Sequence, residues 1–210
     1  MPSSAFATLT KYARRLNHMN GAGHLPALIF ITDRARLPDP LAVIKKLGPD
    51  SAVIFRDYDA PDRKDLGQAL ACACRERSIR FLVAGDEALA QALTADGLHL
   101  PEHRLSESAA MRRKHPDWLI TVAAHGAAAL TAAHAAGADA ALLSPVFATA
   151  SHPETLKSDK GLLGARGFAN LSDASPLPVY ALGGVTAENI ALIKGGHTAG
   201  VAAIGAFDEA

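Results

Sequence analysis

The sequence predicts an α/β protein, a single (β/α)8 barrel with an extra N-terminal helix, spanning residues 1–210 as one domain. Three observations carry this. Eight short apolar runs recur with starts roughly 17 to 38 residues apart, each followed by helical periodicity. The runs are near-continuous rather than alternating, which marks strands covered on both faces. The chain of 210 residues, 49% hydrophobic and 20% charged, has no Pro/Gly/Ser linker or charge block to divide it. A doubly wound open sheet shares the βα alternation but usually uses fewer strands.

A leading helix is expected over Ser4–Leu16, with Ser3 or Ser4 as N-cap. The expected strands are Ala27–Ile31, Ala52–Phe55, Arg80–Ala84, Gly97–Leu100, Leu119–Ala123, Ala140–Leu143, Pro178–Leu182 and Gly200–Ile204. The helices between them are Leu41–Leu47, Asp62–Arg77, Glu87–Thr94, Ser106–Lys114, Ala127–Ala136, Ala165–Leu171 and Ala187–Lys194. Ser106 and Thr186 stand where N-caps are wanted.

Composition narrows the function. With 21 basic and 21 acidic side chains the net charge is zero, which argues against a nucleic-acid partner or a polybasic hold on membranes. No apolar run approaches the ~20 residues a bilayer requires. Cys72 and Cys74 point about 200° apart on one helix, unsuited to a shared metal or a disulfide. Two ordinary thiols without a signal peptide indicate a reducing cytoplasm. The histidines show no i, i+4 pair or Cys/His cluster, so no metal site is expected.

In a parallel barrel, chemistry collects beyond the C-terminal ends of the strands. Strand seven leads into Gly183-Gly184, and strand eight into Ile204-Gly205 before a short last helix. Glycine lets backbone N–H groups approach an anion, and a helix N-terminus adds partial positive charge. The loops after strands seven and eight form this fold's recurrent phosphate site. The N–H groups of Gly183, Gly184, Ile204 and Gly205 are therefore the expected phosphate anchor. Ser144, Thr149 and Ser151 offer hydroxyls from the sixth loop, and Arg56 offers a planar fork for a carboxylate or phosphate, unless Asp57 or Asp59 pairs with it. His125 ends strand five; imidazole both takes and returns a proton near neutral pH. His99, between Leu98 and Leu100, reads as packed or hydrogen-bonded in the barrel, and Trp118 as packed under a helix.

Several segments together resemble the thiamine phosphate synthase/TenI family along nearly the whole chain. They are Phe30-Ile31-Thr32-Asp33, Asp96-Gly97-Leu98-His99-Leu100, Val122-Ala123-Ala124-His125, Gly137-Ala138-Asp139, Ser144-Pro145-Val146-Phe147-Ala148-Thr149 and Tyr180-Ala181-Leu182-Gly183-Gly184-Val185, followed by Asn189. The resemblance implies a TIM barrel acting on a small phosphorylated heterocycle; a homodimer is expected only if alanine-rich helix faces are exposed. It implies one of two activities. The synthase condenses hydroxymethylpyrimidine pyrophosphate with a thiazole phosphate, releasing pyrophosphate. The TenI-type tautomerase moves a proton within a thiazole carboxylate phosphate, and its catalytic histidine falls on His125.

Departures from the synthase pattern favour the second. Arg56 remains after strand two, but the family's glutamine and lysine do not. Ala84-Gly85-Asp86 replaces Asn-Asp-Arg, Pro101-Glu102-His103-Arg104 replaces Gly-Gln-x-Asp, and His152 stands for a lysine that Lys157 or Lys160 would have to replace. A departing pyrophosphate needs Mg²⁺ on carboxylates together with Lys and Arg. The expectation is tautomerase-like proton transfer by His125 without a cofactor, Mg²⁺ being required only if the chain is a true synthase. Asp57, Asp86 and Glu102 are the carboxylates available to replace its ligands. A non-catalytic, phosphate-binding regulatory protein is the third alternative.

Overall fold

Eight parallel strands close on themselves in chain order. The computed structural model describes residues 4–149 and 161–207. The strands are β1 (Leu28–Ile31), β2 (Ser51–Phe55), β3 (Arg80–Ala84), β4 (Gly97–Leu100), β5 (Leu119–Ala124), β6 (Ala140–Leu143), β7 (Val179–Leu182) and β8 (Thr198–Ala203). Around them run α1 (Ser4–Met19), α2 (Pro40–Ile44), α3 (Arg63–Glu76), α4 (Glu87–Ala92), α5 (Ser108–Lys114), α6 (Ala127–Ala135) and α7 (Gly164–Ala174). β1 pairs with both β2 and β8, which shuts the ring.

The apolar strands resolve into two cores because successive side chains point to opposite faces. Ile29, Ile31, Ala52, Ile54, Leu82, Ala84, Leu142, Tyr180 and Ala202 fill the lumen. Their neighbours Leu28, Phe30, Val53, Phe55, Phe81, Val83, Ile120, Val122, Leu143 and Val201 pack outward under the helices. One large lumen residue, Tyr180, is fully buried and donates its hydroxyl to Pro26 O at 2.7 Å. Opposite Tyr180 the β7–β8 register shifts at Gly200, whose φ of +154° suits glycine. A Cβ there would stand 2.0 Å from Ala27 O.

Beyond β8 the chain makes one 3₁₀ turn, Gly205–Phe207, and α1 covers β8. Phe207 sits between Phe6 of α1 and Phe30 of β1, with ring centroids 5.9 Å and 5.0 Å away. Asn17 of α1 is buried and donates to Ala199 O at 2.8 Å. The leading helix thus packs on the eighth strand.

Three local expectations change. Ala187–Lys194 is not an α-helix but a single 3₁₀ turn, Ile190–Leu192. Asn189 accounts for this: its side chain accepts from Thr186 N–H (2.8 Å) and donates to Gly184 O (2.8 Å), fastening a turn where a helix would start. Asn189, not Thr186, therefore holds the N-cap position. Ser106 is not an N-cap either, because it lies inside a 3₁₀ turn, Glu102–Glu107, and Glu107 precedes α5. The expected cap Ser3 lies outside the described residues.

Cys72 is exposed and Cys74 buried, on opposite faces of α3. Desolvation, with Asp96 nearby, pushes the Cys74 thiol up to about 12. Among the described residues no helix is long and apolar enough to cross a membrane.

Candidate functional site

Register decides which loop residues meet at the C-terminal rim. Ile31 pairs with Ile54, so two residues further on Asp33 lies beside Arg56. The Arg56 guanidinium donates to Asp33 Oδ2 at 2.7 Å, and its backbone N–H donates to Thr32 Oγ1 at 3.0 Å. Asp57 and Asp59 are therefore not its partners. Asp57 Oδ1 accepts instead from the Arg34 N–H at 2.7 Å, and Arg34 Nη1 binds Asp62. A groove of about 830 Å³ opens over this rim, lined by Asp33, Arg34, Arg56, Asp57, Tyr58 and Pro61.

The third loop forms the next wall. Asp86 caps α4 by accepting from Leu89 N–H at 2.9 Å, and its other oxygen accepts from Arg63 at 3.0 Å. The Arg63 guanidinium lies over the rings of Phe55 and Tyr58, 5.6 and 5.5 Å from their centroids. Arg104 pairs with Glu107 at 2.7 Å and donates to Gly85 O at 2.7 Å, joining the third and fourth loops.

On β4, His99 is buried as its position between two leucines implied. Its Nδ1 lies 3.0 Å from Thr121 Oγ1 on β5. Burial, then the nearby charge of Arg56, push its pKa down to about 4, which keeps the ring neutral near pH 7.

On β5, His125 is exposed at the rim. Its Nδ1 lies 2.5 Å from Glu102 Oε2, which begins the 3₁₀ turn after β4. The β4–β5 register pairs Leu100 with Val122 and so carries residue 102 alongside the end of β5. Sequence reading treated Glu102 only as a stand-in metal ligand and missed this contact; the parallel register is the signal that finds it. Ser144 ends β6 next door, its N–H donating to Ala124 O at 3.1 Å. His125 and Ser144 thus end neighbouring strands.

The glycine turn after β7 is bound to the loop after β6. Val146 N–H donates to Leu182 O and Phe147 N–H to Gly183 O, both at 2.9 Å. Gly184 has φ +62°, and a Cβ on it would come within 2.3 Å of Ala148 O. The glycines therefore have a packing role of their own, whatever they bind. Ile204 and Gly205 end β8 beside this turn, Gly205 opening the 3₁₀ turn and exposed. Thr149 is half-buried at the end of the described sixth loop. Ser151, His152, Lys157 and Lys160 lie outside the described residues.

The three carboxylates expected to replace the magnesium ligands each make a contact within the protein, although Asp57 Oδ2 is buried without a hydrogen-bond partner. Asp57 is bound to the first loop, Asp86 to a helix cap and an arginine, and Glu102 to His125. Among the described residues no three His, Cys, Asp or Glu side chains converge on a common point.

At the opposite end of the barrel a hollow of about 600 Å³ is lined by Arg80, Asp96, Arg112, Trp118 and Asp139. Its carboxylates tie strand starts together: Asp96 accepts from Phe81 N–H and Asp139 from Ile120 N–H, each at 2.7 Å. Trp118 stacks on His115, with ring centroids 3.6 Å apart.

Comparison with known proteins decides the family. A family model described as thiamine monophosphate synthase matches residues 28–207, the whole barrel. The chain belongs to this family. Thiamine-phosphate synthase of Methanoculleus marisnigri (strain ATCC 35101 / DSM 1498 / JR1) is 34% identical over 186 residues, covering 85% of this chain and 86% of that protein. Thiamine-phosphate synthase of Bacillus cereus (strain B4264) is 31% identical over 180 residues, covering 82% of this chain and 80% of that protein. The solved structure of thiamine phosphate pyrophosphorylase from Pyrococcus furiosus superimposes with a TM-score of 0.72 at 26% identity, covering 87% of each chain. This thiamine monophosphate synthase family member therefore shares both barrel and sequence segments with proteins named for the synthase reaction.

Proposed function

We propose that this family member binds a thiazole phosphate at the barrel mouth and isomerises it by proton transfer through His125. The observation that carries the reading is the rim histidine with a carboxylate on Nδ1. Proton transfer within one heterocycle asks for an anchor and one acid/base group near neutrality. Gly183, Gly184, Ile204 and Gly205 supply backbone N–H groups for the phosphate, and Ser144, Thr149 and Ser151 supply hydroxyls. Arg56 carries its charge on the groove over β1 and β2 and suits the substrate's carboxylate.

The names of the relatives favour a second reading, synthase activity by a divergent loop set. The two are separated by one NMR time course with thiazole carboxylate phosphate alone, and with thiazole phosphate plus hydroxymethylpyrimidine pyrophosphate and Mg²⁺. Isomerisation in the first sample, reduced about 10²–10⁴-fold in His125→Asn, supports proton transfer. Pyrophosphate release in the second with no isomerisation in the first establishes the synthase instead. Calorimetric binding of thiazole phosphate without either turnover identifies a regulatory binder.

A further inference from the structure

We propose that Glu102 is the positioning residue for His125, fixing the imidazole in its Nδ1–H tautomer so that Nε2 carries the lone pair that receives the proton. This rests on the proton-transfer reading and deepens it. An ionised carboxylate only accepts hydrogen bonds. With Glu102 Oε2 at 2.5 Å from Nδ1, the ring proton of neutral His125 belongs on Nδ1 and Nε2 is left basic.

Backbone structure places both partners. His125 follows the last residue of β5. Glu102 opens a 3₁₀ turn that packs against β5 and α6 and is closed by the Arg104 N–H bond to Pro101 O at 2.9 Å. The residue type matters as much as the place. A glutamine amide here would present a donor or an acceptor with equal ease. It does not choose between the two imidazole tautomers; a carboxylate does.

The resulting step balances. A substrate C–H bond breaks, and its proton moves to Nε2. The imidazolium so formed is doubly protonated and paired with Glu102. The same proton then returns from Nε2 to a different substrate atom, restoring the neutral Nδ1–H ring. No group leaves and no electron acceptor is required.

The test is a long-range ¹H–¹⁵N spectrum of the histidine rings near neutral pH for the wild type, Glu102→Gln and Glu102→Ala. The His125 signals are identified by their loss in His125→Asn. The wild type should show Nδ1–H. Glu102→Ala should shift towards the Nε2–H form that free imidazole side chains prefer, with Glu102→Gln between them. The isomerisation kcat should fall about tenfold in Glu102→Ala with KM within about twofold, a fraction of the ~10²–10⁴ available to general acid–base catalysis. A wild-type tautomer in Glu102→Ala overturns the positioning role while leaving the inactivity of His125→Asn intact. An active His125→Asn overturns the proton-transfer reading and the positioning role together, so the two failures are told apart.

Discussion

Replacing Gly184 by alanine puts a methyl group where the sixth loop already lies. The backbone there has φ +62°, and the added Cβ would stand 2.3 Å from Ala148 O and 2.8 Å from the Phe147 carbonyl carbon. Two costs add. A left-handed conformation costs a non-glycine residue about 1–2 kcal/mol. Forcing atoms into a packed place costs about 1–3 kcal/mol, and the obstacle is backbone rather than a side chain that can swing away. Together these remove about 2–5 kcal/mol from a total stability of ~5–15 kcal/mol. For a chain of this size that is a fall in Tm of about 10 °C. Thermal unfolding followed by circular dichroism measures it, with Gly205→Ala as control. A Cβ on Gly205 would meet nothing within 4 Å, and its φ is not positive, so that variant should stay within about 0.5 kcal/mol of wild type. If Gly184→Ala unfolds at the wild-type temperature and loses only ligand binding, the loop-on-loop packing argument is wrong.

Two further outcomes are expected. Phe207→Ala should cost about 3–5 kcal/mol, because it empties the slot between Phe6 and Phe30; urea unfolding reads this out, and a loss under ~1 kcal/mol contradicts the packing of α1 onto β1 through Phe207. His99 gives a pH signature. Its pKa falls from 6.5 to about 4 on folding, so the unfolded chain binds its proton more readily. Its contribution is complete above about pH 6.5 and declines as pH falls towards about 4, by about 3 kcal/mol in all. The difference in unfolding free energy between pH 7 and pH 4.5 should therefore be smaller in His99→Gln, and an unchanged difference contradicts the burial account.

Much of the barrel was legible because parallel strands buried on both faces write themselves as apolar runs. Leu28–Ile31 and Ala140–Leu143 lie inside the expected segments almost to the residue. The rim was legible by position, since whatever follows a strand must reach it. What lay beyond reading is pairing across loops. Arg56 takes Asp33, which is distant in sequence, over the adjacent Asp57, because strand register outweighs proximity along the chain. The Glu102–His125 contact has the same origin. The turn after β7 went astray for a more local reason. Ala187–Lys194 has helical composition, but the Asn189 side chain fastens its start to Gly184 and Thr186.

The seam between β1 and β8 carries a consequence for synthesis. The edge of Leu28–Ile31 that will pair with β8 emerges well before its partner strand, Thr198–Ala203. At ~5–20 residues per second the interval is on the order of ten seconds or more. Throughout it, an apolar strand with one unpaired edge is open to other chains, the geometry most prone to edge-to-edge association. α1 precedes β1 and packs near it, but it supplies no backbone partner for that edge. Nascent chains of this barrel therefore need dilution or a chaperone most at its first strand, long before the mouth and its chemistry exist.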